Sequence, residues 1–232
     1  MTDRRTVILG LAAASLAAPA RAGAPFKVLF DGTSLDGWTL VGDANWTLAD
    51  GAVSADRGGM SFLVSKDSYR DFDLRAELWV SDDANSGVFI RCSDRMTFTP
   101  ANAYEVNVFD QRPDPTYGTG AIVNVAAVSR MPKAGGRWSV LEVNARGDTF
   151  SVTFNGVKTV DAVRDRTHAE GPIALQYGSG TVKVRGIEIP PLRPPFQRLT
   201  AGGTGPKRIM SESVTSLGSS HVRHKLLYIN MD

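Results

Sequence analysis

The sequence has a single cysteine, Cys92, so no disulfide can form within the chain. The residues from Val88 to Ile90 are apolar, which favours a buried, unreactive thiol over a nucleophile. The apolar run from Val7 to Ala18 contains about a dozen residues, fewer than the roughly 20 that a membrane-spanning helix needs. Residues 23–190 also lack a convincing helical period. A disulfide-stabilised fold, a stable membrane span and a helical domain are therefore not expected.

A surface of one charge sign is also missing from the middle of the chain. Residues 23–190 contain 17 basic and 21 acidic residues, and the positive total of the whole sequence comes from its two ends. No basic stripe of the kind that binds nucleic acid remains in this part. Its length is sufficient for one well-buried domain.

The two ends of the sequence differ in character from the middle. Arg4 and Arg5 precede the apolar run, and a small-residue cleavage pattern, A-R-A, ends at Ala22. This order is typical of a secretory signal peptide over residues 1–22, and the paired arginines indicate the twin-arginine route. We therefore expect a periplasmic or secreted protein. Residues 191–232 begin with prolines and continue rich in Gly, Ser and Thr, which predicts a mobile basic tail.

Alternation of apolar and polar residues predicts a succession of short strands. The longest such run extends from Phe72 to Val80, and shorter ones surround Val106 and Val152. Turn dipeptides such as Asp50-Gly51 and Asn155-Gly156 separate these runs at short spacing. About a dozen short strands with such turns predict an all-β, antiparallel β-sandwich or barrel.

Strand alternation also sorts the side chains onto two faces. Because apolar residues such as Val88 and Val106 are expected to be buried, their neighbours in the sequence should face outward. The outward set over four strands is Phe89, Arg91, Glu105, Asn107, Phe109, Ala174, Gln176, Lys183 and Arg185. Planar polar groups beside aromatic rings are typical of a groove that binds a sugar. Any half-solvated antiparallel sheet also shows polar outward residues, so a bare surface is an alternative.

The acidic residues on this face do not form the usual glycosidase pair. The segment from Glu105 to Asp110 invites comparison with the acidic strand of retaining sandwich glucanases, whose two carboxyls lie about 5–5.5 Å apart. Asn107 takes the middle position, and Asp110 falls on the face opposite Glu105 unless a bulge intervenes. The histidines lie outside the outward set, and no Ser-His-Asp order, zinc spacing or phosphate-binding loop occurs. The sequence thus does not support an ordinary retaining glycosidase.

Several ordered motifs carry a resemblance to a known family. They are Leu29–Trp38 (LFDGTSLDGW), Asn85–Arg91 (NSGVFIR), Tyr104–Val108 (YEVNV), Gly118–Ile122 (GTGAI), Gly171–Gly178 (GPIALQYG) and Val182–Ile189 (VKVRGIEI). Together they resemble the 3-keto-disaccharide hydrolase family over about residues 26–190. Asn107 stands where that family more often has Gln, and Val123 stands where an aromatic residue is usual.

The resemblance implies a concanavalin A-like lectin/glucanase sandwich of the jelly-roll type over residues 23–190, and cleavage of 3-keto-glycosides. A ketone at C3 acidifies the C2 proton, so that a base removes it, the C1 substituent leaves and water adds. The candidate roles are base for Glu105, oxyanion stabiliser for Arg91 and Gln176, and acid for Asp110 or Tyr117. The candidate substrate contacts are Asn107, Phe89, Phe109, Tyr117 and Arg185.

The resemblance also implies partners. A sugar 3-dehydrogenase would install the ketone on the carbohydrate before cleavage. The scheme itself requires no cofactor, although Glu105, Asn107 and Asp110 could offer oxygen ligands to a divalent cation such as Ca²⁺. A non-catalytic carbohydrate-binding module stays the main alternative, because this fold serves lectins and enzymes alike. A scaffold protein that docks through its basic tail is a third interpretation.

Overall fold

The computed structural model describes residues 27–128 and 130–191. The predicted signal peptide, and the predicted tail beyond Pro191, lie outside these residues. The strands are β1 (Lys27–Phe30), β2 (Trp38–Val41), β3 (Thr47–Ala49), β4 (Ala52–Ala55), β5 (Ser61–Ser65), β6 (Phe72–Val80), β7 (Asn85–Ile90), β8 (Tyr104–Val108), β9 (Trp138–Arg146), β10 (Thr149–Phe154), β11 (Val157–Arg164), β12 (Ala174–Ser179) and β13 (Val182–Ile189). A single 3₁₀ turn, Pro115–Tyr117, is the only helical element in this part of the chain.

The strands form two antiparallel sheets. The large sheet has eight strands in the order β11-β10-β9-β6-β13-β4-β3, with β1 paired to β13. The small sheet has five strands in the order β2-β5-β12-β7-β8. The prediction of an all-β, two-sheet antiparallel sandwich is therefore confirmed. Within the described residues, no helix is both long enough and apolar enough to cross a membrane.

The apolar core lies between the two sheets. In β6 every second residue from Phe72 to Val80 is buried, which is the pattern of a strand with one face in the core. Val88 and Ile90 of β7 and Val106 of β8 complete the core from the small sheet. Burial of this alternating set fixes the register of each strand, because a slip by one residue would expose its apolar side chains.

A loop segment covers the free edge of the small sheet beside β8. The amide of Asn107 donates to the carbonyl of Ala121 (3.0 Å), and the amide of Gly120 donates back to the carbonyl of Asn107 (2.8 Å). The amide of Val123 donates to the carbonyl of Glu105 (3.0 Å). This extra pairing satisfies the backbone of β8 and fixes the strand that carries Glu105 and Asn107.

Candidate functional site

Three polar side chains share the outer face of the small sheet. Glu105 and Asn107 flank the buried Val106 on β8, and Gln176 lies on β12. Gly87 of β7 stands between the two strands and is paired with Asn107 on one side and with Gln176 on the other. We call Glu105, Asn107 and Gln176 the polar row. The structure thus brings together three of the residues that strand alternation predicted.

Gly87 lets the side chains of the polar row approach one another. A Cβ atom at this position would lie 3.2 Å from Gln176 Oε1 and 3.6 Å from Glu105 Cγ. It would also lie 3.1 Å from the carbonyl oxygen of Val106, which is tighter than ordinary van der Waals contact. The missing side chain therefore leaves a niche into which the acid and the amide both lean. Sequence analysis did not identify this role, although the glycine stands in the N-S-G motif.

Glu105 is a buried carboxyl without a hydrogen-bonding partner. It is 6% exposed, and no group in the described part of the chain donates a hydrogen bond to its carboxylate. Burial raises the pKa of Glu105 to about 7, because removal from water disfavours the charged form. The positive charge of Arg112 acts in the opposite direction and lowers this pKa. The carboxyl therefore changes its charge near neutral pH.

Arg112 is the residue that sequence analysis missed. It lies in the loop that follows β8 and is half-buried, and its charge acts on Glu105. No ion pair joins it to a carboxylate elsewhere in the described residues. The only sequence signal was its position in the loop from Arg112 to Tyr117, because a loop directly after a site strand lies beside the site.

Asn107 connects the polar row to the same loop. Its Nδ2 donates to the backbone carbonyl of Tyr117 (2.6 Å), at the end of the 3₁₀ turn. This bond fixes the orientation of the amide and leaves Asn107 Oδ1 buried without a donor. Tyr117 is half-buried. The predicted proximity of Tyr117 to the polar row is thus present through its backbone.

The carboxylate of Asp110 is engaged in structural hydrogen bonds. Its carboxylate accepts from Thr119 Oγ1 (2.7 Å) and from the amides of Ala134 and Gly135 (3.0 Å each). The candidate role as an acid therefore conflicts with its structural contacts. The cation site predicted from Glu105, Asn107 and Asp110 stays a prediction, and in this structure Asp110 uses its carboxylate for these bonds. The described residues contain no group of three or more His, Cys, Asp or Glu side chains that could hold a metal.

The prediction that Arg91 faces outward is wrong. Arg91 has a positive φ of 53°, which interrupts the strand alternation immediately after Ile90 and turns the side chain into the protein. Its guanidinium is 1% exposed and donates to the carbonyls of Arg70 (2.8 Å) and Gly147 (2.7 Å). It also pairs with Asp71 (3.3 Å). Arg91 thus ties together three segments of the chain and lies outside the polar row.

The aromatic rings of this face are covered. Phe89 lies on the predicted face beside Glu105 but is 1% exposed, because Phe62 and Phe98 pack against it with ring centroids at 5.4 and 6.3 Å. An outward phenyl ring gains more from apolar cover than from water, and the loop that carries Phe98 supplies that cover. Phe109 follows the end of β8 and is half-buried. The Phe89 ring is therefore not available to stack on a sugar.

Arg185 lies on the other sheet. The tight turn between β12 and β13 leads from the small sheet to the large one, so the outward residues of β13 face away from the polar row. Arg185 donates to Glu77 (2.7 Å) and stacks over Trp138 at 4.3 Å on the large sheet. The prediction that it joins the sugar groove is wrong for this reason.

A cavity of about 460 Å³ opens at a different place from the polar row. It is lined by nine residues that include Arg91 and His168, and none of them belongs to the polar row. Its charged and polar groups are paired as Arg70–Glu170, Arg91–Asp71, Arg166–Asp148 and Tyr104–Asp165. Burial lowers the pKa of His168, so its imidazole is mainly neutral at neutral pH. The polar row differs from this cavity, because its Glu105 carboxylate, Asn107 Oδ1 and Gln176 Oε1 have no hydrogen-bond donor in the described residues.

Solved structures share this architecture. A candidate glycosyl hydrolase from Parabacteroides distasonis superposes with a TM-score of 0.64 at 15% identity, over 72% of this chain and 94% of that one. A carbohydrate-binding module from Bacillus subtilis superposes with a TM-score of 0.53 at 21% identity, over 65% of this chain and 93% of that one. A β-1,3-1,4-glucanase derived from a mouse hindgut metagenome superposes with a TM-score of 0.52 at 12% identity, over 72% of this chain and 99% of that one. These likenesses show a lectin/glucanase-type sandwich.

The comparison with curated protein sequences gives no significant match. The family model described as the 3-keto-alpha-glucoside-1,2-lyase-like domain matches residues 25–190, which span both sheets and the whole polar row. The resemblance carried by the sequence motifs is thereby confirmed. This match covers most of the chain, so the protein is carbohydrate-active and belongs to the family of 3-keto-alpha-glucoside-1,2-lyase-like domains.

Proposed function

We propose that this protein cleaves 3-keto-glycosides, in particular 3-keto-disaccharides, by C2 deprotonation, elimination and hydration. The observation that carries the proposal is a lone buried carboxyl, Glu105, whose pKa is raised to about 7. A carboxyl that titrates near neutral pH can both take and return a proton under physiological conditions. The name of the family supports the same chemistry, since it describes 3-keto-alpha-glucoside 1,2-lyases.

The reaction needs one base and can use the same group as acid. The Glu105 carboxylate removes the proton at C2, and the electrons of that C–H bond pass into an enolate whose charge rests on the C3 oxygen. The enolate collapses to a C1–C2 double bond as the C1–O bond breaks, and the departing oxygen takes a proton. Water then adds at C1 and a proton returns to C2, which gives a 3-keto sugar and an alcohol. Protonated Glu105 is the proton donor that the polar row offers.

The enolate needs a positive charge or donors beside the C3 oxygen. Arg91 was the predicted residue, but its donors are used within the fold. We assign this role to Arg112, which is free of an ion pair in the described residues and already acts electrostatically on Glu105. A cation beside an oxygen that becomes negative in the transition state lowers the barrier more than it strengthens ground-state binding.

Ordinary glycoside hydrolysis is less well supported by the polar row. Retaining enzymes need a second carboxyl about 5–5.5 Å from the first, and inverting enzymes need one about 6.5–9.5 Å away. In the described residues Arg112 is the one charged group that perturbs the pKa of Glu105, so no second carboxylate acts on it. The activated C2 proton of a keto sugar removes the need for such a pair.

The setting of the reaction follows from its substrate and from the N-terminal sequence. A 3-keto sugar must come from an oxidation at C3, so a sugar 3-dehydrogenase is the class of enzyme that would act before this one. The signal-like residues 1–22 support export by the twin-arginine route, and we place the reaction in the periplasm or outside the cell.

The test is turnover of a 3-keto-disaccharide by the wild type and by three variants. Glu105→Gln keeps the size of the side chain but removes the base, and a loss of about 10²- to 10⁴-fold in kcat is expected. Arg112→Met should also lower kcat, because it removes the charge beside the enolate oxygen. Arg185→Gln is the matched control, since it removes a cation on the other sheet and should leave turnover unchanged.

Two results would contradict the proposal. Equal rates for the wild type and Glu105→Gln would remove Glu105 as the base. No turnover of any 3-keto sugar, together with tight binding of an unoxidised glycan, would favour the non-catalytic binding module. That alternative has structural support in the likeness to the Bacillus subtilis carbohydrate-binding module.

The rate of the active enzyme should rise with pH through about 7, as Glu105 loses its proton.

A further inference from the structure

Two buried amide oxygens in the polar row have no hydrogen-bond donor. They are Asn107 Oδ1 and Gln176 Oε1, and both are fully enclosed. Buried acceptors in native proteins nearly always have a partner, because an unpaired one loses its bond to water without compensation. These two atoms therefore call for a donor that is present in some state of the protein.

The niche at Gly87 brings one of these oxygens close to Glu105. Gln176 Oε1 and Glu105 Cγ lie 3.2 and 3.6 Å from the same point, the position of an absent Cβ at Gly87. Both side chains therefore border the space that a side chain on Gly87 would fill. Asn107 Oδ1 is placed differently, since its amide is turned by the bond from Nδ2 to Tyr117.

We infer that Gln176 Oε1 accepts a hydrogen bond from the protonated carboxyl of Glu105. An ionised carboxylate has only acceptors to offer, whereas a protonated one has an O–H donor. The orphaned oxygen of Gln176 thus obtains its partner in the acid form of the site. Gln176 is then a positioning residue, which acts through Glu105 and replaces the predicted role of oxyanion donor.

This inference deepens the proposed function and rests on it for its catalytic consequence. When Glu105 removes the C2 proton, Gln176 holds that proton on the carboxyl, oriented for delivery to the departing oxygen. Arg112 works against Gln176, because its positive charge favours the ionised carboxyl. It is the one charged group that acts on Glu105 within the described residues. The balance between the amide and the guanidinium would set the pH at which the base is ready.

The test is a direct titration of Glu105 by NMR in protein labelled with ¹³C at the glutamate carboxyls. The Glu105 resonance is identified by its absence from the spectrum of Glu105→Gln. Gln176→Met removes the acceptor at nearly constant size, and the expected result is a roughly tenfold larger acid dissociation constant, which lowers the pKa of Glu105 by about one unit. Gln176→Leu serves as the second variant in case Gln176→Met fails to fold.

The sign of the change decides the outcome. If Gln176 does not accept the proton, an apolar side chain in its place leaves the carboxyl more poorly solvated, and the pKa stays the same or rises. Either result overturns the inference. Asn107→Leu is the matched control, because it removes the other orphaned amide and should not reproduce the fall. The titration needs no turnover, so a protein that cleaves no keto sugar can still show the proton contact. In an active enzyme, Gln176→Met should also shift the pH profile of kcat/KM to lower pH.

Discussion

Replacement of Glu105 by glutamine should stabilise the protein at alkaline pH and not at acidic pH. In the unfolded chain a glutamate has a pKa of 4.5, whereas burial raises the pKa of Glu105 in the folded protein to about 7. The folded state therefore binds a proton that the unfolded state has already lost between these two values. Stability falls as the pH rises through this window and is lowest above about 7. The amide that replaces the carboxyl in Glu105→Gln has no proton to lose in this range, so this loss is absent from the variant.

The size of the effect follows from the displaced pKa. A change from 4.5 to about 7 corresponds to about 3 kcal/mol of unfolding free energy, since one unit is about 1.4 kcal/mol. Glu105 is only 6% exposed, so solvent screening reduces this figure little. For a domain of this size the change corresponds to roughly 6–12 °C in Tm. The new amide can also donate to Gln176 Oε1, which limits any constant cost of its burial.

The assay is urea unfolding of the wild type and Glu105→Gln at a series of pH values from about 4 to 8. The difference between the two proteins cancels every other titrating group that both share. Glu170→Gln is a matched control, because Glu170 is exposed and its ion pair with Arg70 contributes at most about 1 kcal/mol. A difference between the wild type and Glu105→Gln that does not change with pH would refute the assignment of Glu105 as a buried acid with a raised pKa.

Other substitutions separate structural residues from those of the polar row. Arg91→Lys should lower the unfolding free energy by about 3–5 kcal/mol in urea titrations, because the buried guanidinium binds three segments, at Arg70, Gly147 and His168, and lysine cannot reach them all. Normal stability with lost turnover would contradict that role. Asp110→Asn should lower the unfolding free energy by about 1–3 kcal/mol in the same assay, since its NH₂ group would face the backbone N–H groups that now donate hydrogen bonds to the carboxylate. Gly87→Ala should lower the unfolding free energy by about 1–3 kcal/mol and also lower turnover, because the new methyl group displaces Gln176 or Glu105. Unchanged kinetics would show that the niche is not needed.

The fold could be predicted from the sequence because its signals are local. The alternation from Phe72 to Val80 depends only on which face of one strand meets the core, and the observed strand has those limits. The turn signals Asp50-Gly51 and Asn155-Gly156 mark tight turns in which all four residues have positive φ. For the same reason the outward placement of Glu105 and Gln176 could be derived from their apolar neighbours.

The errors all involve information that is not local. Arg91 has a positive φ that could not be predicted from its residue type, and one such residue is enough to turn a side chain to the opposite face of a strand. The prediction that Arg185 joins the groove was wrong because the residue pattern does not reveal which sheet a strand joins. The prediction that Phe89 contacts the sugar was wrong because the loop that carries Phe98 covers its ring. Arg112 was overlooked because loop geometry decides whether a charge reaches the site.

Under the proposed function, the polar row is a site that could act on a sugar without a carboxylate pair. An unactivated glycoside has no acidic C–H bond at C2, so one carboxyl near neutral pKa can do little to it. A ketone at C3 changes this, because the electrons released at C2 gain a carbonyl oxygen on which to rest. The remaining demand is for one base that is ionised near pH 7 and a positive charge near that oxygen. Glu105 and Arg112 supply these two features at one edge of the small sheet. In the proposed mechanism, the niche of Gly87 provides the third requirement, which is a defined place for the proton between its removal and its return.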